Sequence, residues 1–70
     1  MKVLGEEITE IQIESGLNAM TGKFTLTCIA GVLHRAGVTN SERTADRLLS
    51  REKKAGRIVF AGGFWTKKEQ

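Results

Sequence analysis

Apolar residues recur along the chain in three blocks of helical spacing, followed by one stretch that alternates. In the first block Ile13, Leu17 and Met20 stand at i, i+4 and i+7, which makes one face of a helix apolar. Thr9 with Gln12 three residues on reads as a capping box, Ile8 is placed to staple onto Ile13, and Gly22 marks the expected end. In the second block Leu26, Ile29, Ala30 and Leu33 repeat the pattern. Thr25 is its candidate N-cap, Phe24 staples onto Ile29, and Gly37 ends it. Lys23-Phe24-Thr25, between the two, also fits a minimal strand.

The turn Val38-Thr39-Asn40-Ser41 leads into the third helix, with either Thr39 (boxed with Glu42) or Ser41 as its cap. Ala45, Leu48, Leu49 and Ala55 form the expected inward face. Gly56 reads as the left-handed residue that ends the helix, with Lys53 and Lys54 in the last turn, where the helix dipole favours cations. Arg57 to Phe60 then alternates up to Gly62-Gly63, a two-residue hairpin turn. That loop pairs Ala61 with Phe64, Phe60 with Trp65, and Val59 with Thr66. Cross-strand partners share a face, so Ile58, Phe60 and Trp65 are expected on the helices and Val59, Ala61, Phe64 and Thr66 outward. The expected fold is α+β: a compact three-helix core with a short β-strand and a C-terminal β-hairpin, one domain over residues 1–70.

Size sharpens this picture. A chain of 70 residues buries only roughly 60% of the surface its unfolded form exposes, and dimerisation is one way to supplement so small a core. Hydrophobic residues at 40% with charged ones at 27% give a globular rather than a disordered balance. The net charge of +3 is mild, but its distribution is uneven. Glu6, Glu7, Glu10 and Glu14, read as exposed acids at a helix start, lie in the first half. Residues 43–68 hold eight Lys and Arg against Asp46 and Glu52. The N-terminal segment lacks the apolar run of a signal peptide, no segment approaches the roughly 20 apolar residues of a membrane span, and one unpaired cysteine, Cys28, fits a reducing compartment. The expected location is the cytoplasm.

Catalytic equipment is sparse. His34 and Cys28 are the only residues of their kinds and lie about 240° apart around the second helix, so they do not form a nucleophile–base pair. Cys28 is expected near the apolar side as inert filling and His34 at the surface. Neither a zinc ligand set nor a phosphate-binding glycine loop is present, so an enzyme, a metal and a cofactor are not expected. The third helix is more informative. Arg43, Arg47, Ser50 and Lys54 stand at i, i+4, i+7 and i+11, opposite Leu48 and Leu49, and form one ridge of three cations and a hydroxyl. Such a ridge fits the major groove, where Arg reads guanine bidentately and Lys or Ser holds a phosphate or base edge. A solvated helix face carries the same residue types.

Order and spacing favour the groove. An apolar helix, a four-residue turn and a basic helix follow one another as in a helix-turn-helix. With Phe24-Thr25 leading into Leu26–Ala36, the turn at Gly37-Val38, the helix ending Lys53-Lys54-Ala55-Gly56-Arg57-Ile58 and the Gly62-Gly63 hairpin, the chain resembles the winged helix-turn-helix family over roughly residues 8–66. Its compactness is similar to that of small regulators encoded by bacteriophages and other mobile elements. The resemblance implies a DNA-binding regulator of transcription or recombination. Arg43, Arg47, Ser50 and Lys54 would lie on the recognition helix, with Arg57, Lys67 and Lys68 near the wing on backbone phosphates. The chain departs from the family pattern in two places. The tip at Gly62-Gly63 carries no cation for the minor groove, and Glu52 falls near the inward face of the third helix, either paired with a nearby cation or beyond the core edge. The Z-form binders of this family use Tyr and Pro, and this chain contains neither. Phe64 either contacts a sugar, base or partner protein or is covered by the chain termini; the second is the expectation. The implied partner is double-stranded DNA, possible further partners are a second copy or another protein, and the alternative function is a winged-helix protein-interaction module without DNA binding.

Overall fold

Thr9 opens the first helix as its spacing to Gln12 predicts. In the computed structural model, which describes residues 1–68, the Gln12 amide donates to Thr9 Oγ1 at 3.2 Å and the Thr9 amide donates to Gln12 Oε1 at 3.0 Å. That reciprocal pair satisfies two donors the helix cannot use internally, and α1 runs Glu10–Asn18. It stops well before Gly22, however. Ala19 is its C-cap, and Met20 lies beyond the helix yet only 1% exposed, so it reaches the core from the connector rather than from a helical face. Thr25 caps α2 (Leu26–Arg35) by accepting from the Cys28 amide at 3.3 Å, and α3 spans Ser41–Lys54.

Five short strands accompany the helices: β1 (Lys2–Val3), β2 (Glu6–Glu7), β3 (Lys23–Phe24), β4 (Ile58–Ala61) and β5 (Phe64–Lys67). They form two antiparallel sheets, β1-β2 and β3-β5-β4. The architecture is α+β, three helices with a short strand and a C-terminal hairpin, and the expected minimal strand at Lys23-Phe24 is real. The hairpin register is also as expected, with Ala61 opposite Phe64, Phe60 opposite Trp65 and Val59 opposite Thr66.

The β1-β2 hairpin was not anticipated. Its turn, Leu4-Gly5, puts Leu4 at φ 50°, a conformation that L-residues other than Asn and Asp seldom adopt. Glu6 and Glu7 are therefore strand residues and not the start of a helix.

The core lies between the helices and the inner side of the larger sheet. Ile29, Leu33, Ala45, Leu48, Leu49 and Ile58 are all at most 2% exposed. Ile13, Leu17 and Trp65 pack against that cluster from its edge. α2 and α3 share the most extensive of the interhelical contacts, as expected for helices whose apolar stripes are the strongest in the chain.

Three inward assignments fail. Ala55 is exposed because α3 ends at Lys54, so Ala55 is already the C-cap. Cys28 is exposed rather than inert filling, sitting in the first turn of α2 beside its Thr25 cap. Phe60 is 57% exposed although its neighbour Ile58 is buried. The hairpin runs past the helices, so the right face has nothing beneath it at the tip. No helix among the described residues is long and apolar enough to cross a membrane.

Candidate nucleic-acid interface

The inward stripe of α3 is Thr44, Ala45, Leu48, Leu49 and Glu52, each at most 6% exposed. Burying that stripe rotates Arg43, Arg47, Ser50 and Lys54 outward, and all four are exposed. Glu42 and Asp46 are exposed on the same helix, with Arg51 and Lys53 beside the ridge, so the surface is basic but not uniformly so. Among the described residues, no ion pair ties Arg43, Arg47 or Lys54 to an acid. Their side chains are free to reach a ligand.

The two ends of α3 are held by carboxylates. At its start neither Thr39 nor Ser41 serves as the cap. Asn40 occupies that position without a side-chain capping bond. The β1-β2 hairpin anchors the turn just before the helix: Glu6 accepts from the Thr39 amide through Oε2 and from the Asn40 amide through Oε1, both at 2.8 Å. Those backbone bonds, Asn40's first, hold the Glu6 carboxyl below the usual carboxylate range. Glu6 thereby ties the N-terminal hairpin to the turn that sets the angle between α2 and α3. At the other end Glu52 is buried and paired with a cation. Arg57 donates from Nε to Glu52 Oε1 and from Nη2 to Glu52 Oε2, both at 2.7 Å. That bidentate bond, against the opposing effect of burial, lowers the Glu52 pKa and raises that of Arg57.

Arg57 was expected to reach a phosphate. Two of its donors are instead committed to Glu52, whose charge offsets its own, although its side chain remains 55% exposed. Lys67 and Lys68 are exposed at the base of the hairpin. They line one shallow cleft with Gly22, Thr66 and Lys23. Lys23 is a cation that sequence reasoning passed over. Only the pairing of β3 with β5, which puts Lys23 opposite Thr66, brings it there. Its Nζ also sits 5.8 Å from the centroid of the Phe64 ring, within cation–π range. Phe64 keeps 42% exposure, so the described residues do not cover it as expected.

The ridge on α3 and the lysines at the sheet base are thus two cationic areas on different elements. The hairpin tip at Gly62-Gly63, at the far end of the strands from Lys67, carries no cation. His34 is at the surface. Among the described residues, no group of three His, Cys, Asp or Glu side chains is placed to hold a metal ion. The missed Glu6 had a weak signal, the glycine just before it at position 5, but Leu4 in a left-handed turn position is not a residue that turn statistics select. Comparison of the chain with protein-family models, curated proteins and solved structures returns no match.

Proposed function

We propose that the protein binds duplex DNA as a small winged helix-turn-helix regulator of transcription or recombination, acting in the cytoplasm of a bacterial or phage-infected cell. α3 would enter the major groove, with Arg43, Arg47, Ser50 and Lys54 facing the bases and phosphates. Lys67 and Lys68 would lie along the flanking backbone, and Arg57, half engaged by Glu52, would contribute less. The observation that supports this reading is the exposure of all four ridge residues on a helix whose opposite side is core. A cationic ridge on a firmly packed helix is what direct readout needs, because the side chains vary while the backbone position does not.

The test is binding to random duplex DNA across a salt series. Several phosphate contacts give a log–log slope of about −3 or steeper. Arg47→Ala lowers affinity for a selected site by about 1–3 kcal/mol if it reads a base. Failure of any duplex in a pooled library to bind better than about micromolar at low salt would remove the proposal.

A second reading, a protein-interaction module, rests on the exposed Val59, Phe60 and Phe64 of the hairpin. Charge reversal at Arg43 and Arg47 separates the two readings. DNA binding collapses, whereas a contact built on the hairpin is unaffected.

A further inference from the structure

From Ile58 to Trp65 eight consecutive residues carry no charged or hydrogen-bonding side chain apart from the Trp65 indole. Only the base of this ribbon is covered. Ile58 is buried, while Val59, Phe60 and Phe64 expose 42%, 57% and 42%. Phe60 belongs to the inner face and Val59 and Phe64 to the outer, so both faces of the ribbon are apolar and open. The Phe60 and Trp65 rings rest against each other at 5.0 Å, which leaves the outer side of Phe60 without a partner.

β4 is also a free edge. The sheet order β3-β5-β4 leaves nothing beyond it among the described residues. The Lys68 amide donates to Arg57 O at 2.8 Å, which makes Arg57 and Lys68 a hydrogen-bonded pair. By alternation Val59 with Thr66 and Ala61 with Phe64 are hydrogen-bonded pairs too, whereas Ile58 with Lys67 and Phe60 with Trp65 are not. The amides and carbonyls of Ile58 and Phe60 therefore point off the sheet. Single edges are normally blunted by Lys, Pro or a bulge, and β4 has none of these; the nearest cation, Arg57, is folded back onto Glu52.

We propose that a second copy of this chain pairs with this edge, β4 antiparallel to β4 about a two-fold axis at Val59, to make one six-stranded sheet. The register follows from the free groups. Centring on Val59 sets Ile58 of each copy opposite Phe60 of the other, so both outward amides and both outward carbonyls of each strand are bonded. Centring on Phe60 would leave Ile58 opposite Gly62, which lies in the turn and outside the strand.

At the axis the two Val59 side chains meet as a non-hydrogen-bonded pair, the closest approach an antiparallel sheet offers. A second copy suits the edge because the strand is self-complementary and uncharged, so the two-fold brings no like charges face to face. The side chains and backbone concerned supply on the order of 400 Å² per copy, about half of a standard interface. The dimer is accordingly weak and forms at high protein concentration. The pairing does not depend on the DNA reading.

The experiment is sedimentation equilibrium of the full chain without DNA, from about 10 μM to about 1 mM, a range suited to a sub-standard interface. The wild type shifts from monomer toward dimer, and Val59→Lys, which sets two ammonium groups opposite each other at the axis, weakens association about tenfold or more. Far-UV circular dichroism checks that the variant is folded.

A second arm uses Val59→Cys in a Cys28→Ser background. Mild oxidation links it across the axis, because facing residues of a non-hydrogen-bonded pair lie within disulfide reach. Ala61→Cys in the same background, four residues out of register with itself, does not cross-link. Slowed exchange of the Ile58 and Phe60 amides with rising concentration completes the expected result. A wild type that stays monomeric to about 1 mM, a Val59→Lys variant that associates as well as wild type, equal cross-linking at positions 59 and 61, or association without protection of those two amides would each overturn the pairing. The last outcome would point to face-to-face stacking.

Discussion

At the end of α2 the Val38 amide donates to Leu33 O and the Gly37 amide to His34 O. At the end of α3 the Arg57 amide donates to Glu52 O and the Gly56 amide to Lys53 O, and all four bonds measure 3.0 Å. Both are Schellman turns with a left-handed glycine one residue past the cap, Gly37 at φ 94° and Gly56 at φ 75°. The motif ordinarily brings together the side chains of the residue two past the cap and the one three from the helix end. In α2 these are Val38 and Leu33, 1% and 0% exposed. In α3 they are Arg57 and Glu52, joined by two charge-assisted bonds. One turn is closed by apolar contact inside the core, the other by an ion pair at its rim. The dry closure sets how α2 leads into the turn before α3, and with no titrating group it is indifferent to pH. The polar closure links α3 to the hairpin next to the proposed DNA face, and protonation can loosen it.

The largest loss of stability is expected at the dry end. Leu33→Ala removes a fully buried side chain from the middle of the core, and is expected to destabilise by about 2–5 kcal/mol in denaturant titration. That loss should be the same at acid and neutral pH. A loss that varied with pH would mean that the α2 turn is not the pH-independent partner in the pair.

The glycines give a smaller and more even effect. Ala in a left-handed position costs about 1–2 kcal/mol, so Gly37→Ala and Gly56→Ala should both lower thermal stability by that order. The two losses should be similar. A Cβ at Gly37 would stand at ordinary van der Waals distance, 3.6 Å, from Gln12 Nε2, and a Cβ at Gly56 meets open space, so the left-handed backbone alone sets the cost at both ends. A markedly larger loss at Gly37 would show that the Gln12 bond to Ala36 O, 3.1 Å long, is disturbed as well.

Both glycines were legible in the sequence, as were the Thr9 and Thr25 caps and the hairpin register. These rest on local rules that need only a few neighbouring residues. What escaped depends on residues distant in sequence. Glu6 reaches Thr39 and Asn40 across more than thirty positions and anchors the turn where a Thr39 or Ser41 cap was expected. Lys23 meets Lys67 and Lys68 only because β3 pairs with β5. Phe60 was given the correct face by its register, but exposure depends on how far the helices extend beneath the hairpin, which periodicity along a strand does not report. On α3 the four ridge positions were readable because one helix carries both them and the apolar stripe that turns them outward. Glu52 stood out as a misfit on that stripe. Its partner was visible five residues on only once the turn at Gly56 folded Arg57 back.

The smallest expected effect is the most diagnostic. Glu52→Gln keeps the shape of the side chain but removes its charge. With Arg57 half exposed and screened by water, the loss is expected to be about 1 kcal/mol at neutral pH. The Glu52 pKa in the folded protein lies below its ordinary value, chiefly through the Arg57 bond. The folded state therefore binds fewer protons at this site than the unfolded chain does as pH falls through the carboxylate range. The stabilisation is complete above the unfolded pKa and disappears as pH drops through the lower folded one. Wild type and Glu52→Gln should accordingly differ above about pH 5 and converge in more acid solution. Glu6, whose pKa is lowered by the Asn40 and Thr39 amides, gives the same sign in both proteins and so cancels from the difference. A gap that persisted at acid pH would mean that Glu52 stabilises α3 by its shape and not by its charge. The two helix ends would then differ in their residues but not in kind.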